Sequence, residues 1–154
     1  MVSIMGLKDS GILLVEDDSN DILFIQRAFR RSKLENSIQV VRDGDEAVAY
    51  LSGEGKYVDR NLYPLPGMIL LDLKLPRRSG LEVLEWIRNQ PVIKRIPVVI
   101  LTSSKENADV NTAYDIGVNS YLLKPVNYNA LNKMIDTLNA FWLRLNCYPS
   151  VVSM

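Results

Sequence analysis

Four places in the chain carry side chains able to do chemistry, and each follows directly on an apolar run. Glu16-Asp17-Asp18 follows Ile12-Leu13-Leu14-Val15, and Asp72 follows Met68-Ile69-Leu70-Leu71. Thr102-Ser103-Ser104 follows Val98-Val99-Ile100-Leu101, and Lys124-Pro125 follows Leu122-Leu123. Carboxylates brought close together repel, so at neutral pH such a group needs a cation or shifted pKa values. Hard oxygen ligands with room for water suit Mg²⁺, which takes one or two carboxylates and a phosphate oxygen. Asp72 lies between apolar neighbours, with Leu73 and Leu75 beyond it, so its carboxylate requires a local partner. Lys124, emerging from the same core, would reach the acids as an ion pair, structural or functional. Taken alone, Thr102 is a good strand former and Asp18 an acid suited to a helix N-terminus. Together the parts describe phosphoryl transfer to a carboxylate. Asp72 would be the nucleophile, Mg²⁺ would neutralise phosphoryl oxygens, and Lys124 and Thr102 would bind others.

These groups meet only if the apolar runs lie side by side. The runs at 12–15, 68–71 and 98–101 are continuously apolar, as parallel strands covered on both faces are; Ile38-Gln39-Val40-Val41 and Ser120-Tyr121-Leu122-Leu123 are more mixed. Helical patterns alternate with them. Asp21–Arg31 puts Ile22, Ile25 and Phe29 on one face, with Ser19 as the expected cap. Asp43–Leu51 turns Ala47, Val48 and Leu51 inward, and Gly80–Asn89 carries Leu81, Leu84 and Ile87 and stops before Pro91. Asn107–Ile116 closes on Gly117. Asn127–Asn146 is the longest, with Leu131, Met134, Ile135, Leu138, Trp142 and Leu145 at helical spacing. Five strand–helix repeats predict an α/β fold with a parallel sheet, right-handed crossovers and helices on both faces. In such a sheet the site lies outside the carboxyl ends of the strands, where all four groups fall. The connection Ser52–Gly67, with Gly53, Gly55, Pro64 and Pro66, exceeds the usual loop length. The expected organisation is one domain over 10–146 with tails at 1–9 and 147–154.

Composition narrows the chemistry further. The 154 residues suit a single domain. Eighteen Lys and Arg balance eighteen Asp and Glu, which argues against electrostatic binding of nucleic acid or membrane. The absence of histidine removes Ser-His-Asp and Cys-His triads and the commonest zinc sites. One cysteine, Cys147, allows neither an internal disulfide framework nor a thiolate zinc cluster, and suits a cytoplasmic location. No apolar run approaches the ~18 residues that span a bilayer, and Met1–Gly6 is too short for a signal peptide.

In order and spacing, Glu16-Asp17-Asp18, Asp72, Thr102-Ser103 and Lys124-Pro125 resemble the receiver domain of two-component response regulators, over about residues 10–146. The resemblance implies a flavodoxin-like (βα)5 doubly wound sheet of order 2-1-3-4-5. It implies that Asp72 takes a phosphoryl group from a phosphohistidine on a sensor histidine kinase, the chain being a phosphoacceptor rather than an enzyme. Asp17, Asp72 and the backbone carbonyl of Lys74 would ligate Mg²⁺ directly, with Glu16 acting through water. Lys124-Pro125 looks like the family's cis peptide, and Asp72-Leu73-Lys74-Leu75-Pro76 with Gly80 like its phosphorylation loop. Thr102 would be drawn to the phosphoryl group and Tyr121 would rotate inward, changing the face of helix 4, strand 5 and helix 5. Many relatives have Asn at the position of Lys74 and some have an acid at that of Ser104, so these two residues would set the phosphate lifetime.

A closer resemblance is to the small stand-alone regulators that partner bacterial phytochromes. It rests on the 52–67 connection with Tyr57 and Pro64-Leu65-Pro66, on Ile96-Pro97-Val98-Val99, and on Phe141-Trp142-Leu143. Few residues follow Asn146, so output is expected through protein–protein contact. The expected surface is the C-terminal helix, with Phe141, Trp142, Leu145 and Tyr148, in a homodimer. Three rivals differ in what they require. A haloacid-dehalogenase-type phosphatase needs a second Asp where Lys74 stands. A flavodoxin-like FMN carrier needs a hydroxyl- and glycine-rich loop where Glu16-Asp17-Asp18 stands. A degenerate receiver, binding partners without phosphorylation, would lack site residues that are all present here.

Overall fold

Which runs become central strands is decided by burial on both faces. The computed structural model describes residues 11–32 and 38–147. Within it β1 (Ile12–Val15), β3 (Met68–Leu71) and β4 (Val98–Thr102) are buried at every position, whereas β2 (Ile38–Val41) and β5 (Ser120–Leu123) are only partly covered. The mixed runs accordingly lie at the edges of one parallel sheet of order β2-β1-β3-β4-β5. Val15 pairs with Val41 and Leu71, Leu71 with Ile100, and Thr102 with Leu123. That register delivers residues 16, 72, 103 and 124 to the same edge.

Alternation along the strands divides the core into two layers. Leu13, Val15, Ile69, Leu71 and Ile100 face α2 (Gly44–Ser52), α3 (Gly80–Arg88) and α4 (Asn107–Ile116) through Leu51, Leu84, Ile87 and Ala113. Ile12, Leu14, Leu70, Val99 and Leu101 face α1 (Ser19–Arg31) and α5 (Tyr128–Leu138) through Ile25, Phe29, Leu131 and Ile135. Each fully buried aliphatic contributes about 1.5–3 kcal/mol, so the three central strands anchor both layers.

The helix ends follow from their capping chemistry, with one difference from expectation. Asp18, not Ser19, caps α1: its Oδ1 accepts from the Asp21 N–H at 2.9 Å, and Ser19 is the first helical residue. Ser79 and Glu82 form a capping box on α3. Gly117 closes α4 at φ 118°, a conformation open to glycine, whereas Glu106 starts α4 without a side-chain cap. Arg88 at the end of α3 donates to the carbonyls of Gly117 (2.7 Å), Lys94 (3.0 Å) and Ile96 (3.1 Å) and to Asn119 Oδ1 (2.7 Å).

The expected single helix over Asn127–Asn146 is two windings. α5 ends at Leu138, and Asn139–Leu145 continues as a π-helical turn. The wider i→i+5 turn carries side chains out of phase with the preceding stripe. Leu131, Ile135 and Leu138 are buried, and Met134 and Trp142 pack on the second layer. Leu145 is 75% exposed, so it does not face the sheet as its spacing suggested.

The 52–67 connection is packed rather than loose. It contains a 3-10 turn, Gly55–Val58. The rings of Tyr50, Tyr57 and Tyr63 pack tilted or edge-on, with centroids 4.9–6.1 Å apart. Arg60 donates to the carbonyls of Tyr50 (2.8 Å) and Leu51 (2.9 Å), satisfying the open end of α2. Among the described residues, no helix is long and apolar enough to cross a membrane.

Candidate functional site

The strand ends bring three carboxylates together. Oxygens of Glu16, Asp17 and Asp72 all lie within 4.8 Å of one another. Glu16 and Asp72 are buried and Asp17 is exposed, so the cluster opens to solvent on one side. Glu16 Oε2 accepts from the backbone N–H of Asp17 (3.0 Å) and Asp18 (3.3 Å), and Asp72 Oδ1 from that of Leu73 (2.7 Å). The Lys124 N–H donates to the Thr102 carbonyl at 2.8 Å, which aims the side chain back at the acids. Its Nζ sits 2.5 Å from Glu16, 2.8 Å from Asp21 and 3.0 Å from Asp72. An ammonium has three donors, and each here faces a different carboxylate.

Electrostatics separate the two buried acids. Burial pushes the Glu16 carboxyl up to about 7, against the pull of Lys124 and with the repulsion of Asp72. Burial also pushes Asp72 up, but hydrogen bonds from Lys124, Thr102 and Glu16 bring it below the ordinary value. Asp72 is therefore the more readily ionised of the two. Desolvation pulls Lys124 down, but its carboxylate partners outweigh that and hold it firmly charged. Such a set of hard oxygens, half neutralised by one ammonium, fits a divalent cation of the Mg²⁺ or Mn²⁺ type.

The loop after Asp72 is held by close backbone contacts. A Cβ on Gly80 would lie 2.1 Å from the Asp72 carbonyl oxygen and 2.6 Å from Leu73 Cα, and one on Gly44 would lie 2.0 Å from the Arg78 carbonyl oxygen. Gly44 N–H donates to Pro76 O at 3.3 Å. Arg77 takes φ 68°, a left-handed conformation rarely adopted by a non-glycine residue. It faces Asp43 at 3.6 Å, while Arg78 pairs with Asp45 at 3.2 Å. The Lys74 side chain is exposed on this loop.

The remaining expected residues fall in three places. Thr102 is buried beside Asp72. Ser104 is also buried, its Oγ donating to Asp109 Oδ2 at 2.6 Å, and its carbonyl accepts from the half-buried Tyr121 hydroxyl at 2.9 Å. Phe141 and Trp142 lie far along the chain in the π turn, their rings edge-on at 5.0 Å; Phe141 is about half exposed. Tyr148 and the tail at 1–9 lie outside the described residues, as does the 147–154 tail apart from the exposed Cys147. The expected cis peptide at Lys124-Pro125 is corrected: every described peptide bond is trans. An X–Pro bond prefers trans unless packing selects otherwise, and here Pro125 is only partly covered while Val126 beside it is fully exposed.

Two features escaped the reading of strand ends. Asp21, in the first turn of α1, reaches Lys124 across the sheet edge. A cavity of about 290 Å³ opens beside it, lined by Asp21, Phe24, Leu101, Lys124, Val126 and Tyr128. Phe24, Val126 and Tyr128 leave much apolar surface around its mouth. Exposed apolar residues on α1, out of step with the buried Ile22 and Ile25, were the available sequence signal.

Comparison with known proteins matches residues 12–136 to the response regulator receiver domain. Response regulator Rcp1 of Synechocystis sp. is 41% identical over 139 residues, covering 90% of this chain and 92% of its own. The crystal structure of the phosphorylated cyanobacterial phytochrome response regulator RcpA superimposes with a TM-score of 0.86 at 42% identity, over 92% of this chain and 99% of that one. The Mn²⁺-bound form of Rcp1 gives a TM-score of 0.83 at 40% identity, with the same coverage.

Proposed function

The chain belongs to the response regulator receiver family, and on that premise we propose that Asp72 accepts a phosphoryl group from a phosphohistidine on a sensor histidine kinase. The observation that carries this is the setting of Asp72: buried, beside two further carboxylates, hydrogen-bonded by Lys124 and with Thr102 buried next to it. In the step an Asp72 oxygen bonds to phosphorus as the P–N bond to the imidazole breaks. The imidazole leaves with the electron pair and takes up a proton. Glu16, Asp17 and Asp72, with the Lys74 carbonyl, would hold Mg²⁺, which supplies positive charge against the phosphoryl oxygens. Lys124 and the Thr102 hydroxyl bind the oxygens that remain. As Thr102 turns from Asp72 toward the new group, it draws on the β4–α4 connection. Ser104 then passes the change to α4 through Asp109 and to β5 through Tyr121.

The phytochrome response regulators among its relatives support a kinase of phytochrome type. The groove ringed by Phe24, Val126 and Tyr128 gives that partner apolar surface next to the phosphoacceptor. We take residues 10–146 as the working unit, in the cytoplasm, with output through a homodimer on the α4, β5 and α5 face that includes Phe141, Trp142 and Leu145. Lys74 and Ser104 set the phosphate lifetime, and a Lys74→Asn variant is expected to lose phosphate faster; an unchanged half-life removes Lys74 from that role. The central test is incubation with acetyl phosphate and Mg²⁺ followed by intact mass measurement. Wild type should gain one phosphoryl group, and Asp72→Asn labelling as well as wild type would overturn the assignment.

A further inference from the structure

The ammonium of Lys124 is shared by three carboxylates of unequal standing. Glu16 and Asp72 belong to the cluster of oxygens that fits a divalent cation; Asp21 does not. A cation entering that cluster takes over the oxygens of Glu16 and Asp72 and repels the ammonium by like charge. Asp21 is then the only one of the three partners left to Lys124. Its carboxylate lies 2.8 Å from Nζ, on the outer side of the pocket, with the side chain about one-third exposed. Its backbone is anchored, because the Asp21 N–H is the one bonded by the Asp18 cap at 2.9 Å. The cavity beside it, lined by both Asp21 and Lys124, leaves room for the ammonium to move.

We propose that Asp21 is a positioning residue that holds the Lys124 ammonium at the mouth of the pocket, freeing Glu16 and Asp72 for the cation while keeping the charge within reach of the phosphoryl group. Without Asp21, Lys124 stays clamped on the two buried acids and competes with the cation. This deepens the phosphoacceptor reading and rests on it for its purpose. Its test, however, needs no phosphorylation.

The experiment is a two-residue cycle read by Mn²⁺ binding, with free Mn²⁺ measured by electron paramagnetic resonance. Asp21→Asn is expected to weaken Mn²⁺ binding about fivefold in the wild-type background and less than twofold with Lys124→Met, because the two residues act through each other. Asp21→Glu, which keeps the carboxylate, is expected to restore binding to within about twofold of wild type. A general loss of negative charge near the site would instead weaken binding by the same factor in both backgrounds, and that result would overturn the proposal. So would unchanged or tighter binding in Asp21→Asn, or no rescue by Asp21→Glu. Failure of acetyl phosphate to label Asp72 would count against the phosphoacceptor reading alone, since the Mn²⁺ cycle stands without it.

Discussion

Replacing Lys124 with Met leaves Glu16 and Asp72 buried without their cation, and the size of the effect follows from the geometry. The two carboxylates are 2% and 8% exposed at the side chain and Lys124 16%, so solvent screens little of the interaction. Removing one partner from a buried pair costs about 3–5 kcal/mol. Protonation limits that cost. In the folded chain Glu16 keeps its proton up to about pH 7, against 4.5 as its ordinary value. Between those values the folded state carries the extra proton, so stability falls as pH rises. Lys124 pulls Glu16 down, so its loss moves the folded value higher and extends the falling window upward. We expect Lys124→Met to lose about 3 kcal/mol at pH 8 and about 2 kcal/mol at pH 6, a difference inside the limit of about 1.4 kcal/mol for one proton held over the one pH unit in which wild-type Glu16 has already lost its own. Urea unfolding in the presence of a chelator measures both values. Excess Mg²⁺ at pH 8 should then stabilise the variant more than wild type, because the dication supplies the missing charge. Equal losses at the two pH values, or an equal Mg²⁺ effect in both proteins, would refute the reasoning.

Three further outcomes follow from the same structure. Gly80→Ala forces a methyl group against the Asp72 carbonyl and should cost about 3 kcal/mol or more in urea unfolding. Arg77→Gly relieves a left-handed backbone worth about 1–2 kcal/mol, less about 0.5–1 for glycine's freedom in the unfolded chain, and should raise Tm by about 2 °C in calorimetry. Its exposed contact with Asp43 offsets little of that. Light scattering at roughly tens of micromolar protein should find a dimer for wild type and a monomer for Phe141→Ala; a monomeric wild type removes the homodimer.

The central strands were legible because burial on both faces makes each a continuous apolar run, and the residue after each run, Thr102 at the end of β4 included, is where the sheet edge places chemistry. That reasoning reached Glu16, Asp17, Asp72, Thr102 and Lys124. It missed Asp21, because a helix's first turn approaches the site from the side and leaves no mark at a strand end. The change of winding within the C-terminal helix was hidden for a related reason. Trp142 and Leu145 follow Ile135 and Leu138 by seven residues, and side-chain spacing does not reveal when the backbone changes to wider winding. The choice of Asp18 over Ser19 as cap likewise turned on a local hydrogen bond between two residues of equal propensity.

The two ends of α4 are fastened unequally, and this decides how that helix can move. At Gly117 the guanidinium of Arg88 ties it, through adjoining carbonyls and Asn119, to the start of β4 and the end of α3. At Glu106 no side chain of its own caps it, and its polar links to the loop beside Thr102 run through one side chain, Ser104, which donates to Asp109 at 2.6 Å and accepts from the Glu106 N–H at 3.4 Å. A rod pinned at one end and lightly tethered at the other turns about the pin. Displacement at the pocket would therefore swing the first turn of α4 through an arc with Gly117 as its pivot, leaving the hydrogen bonds of the far end intact.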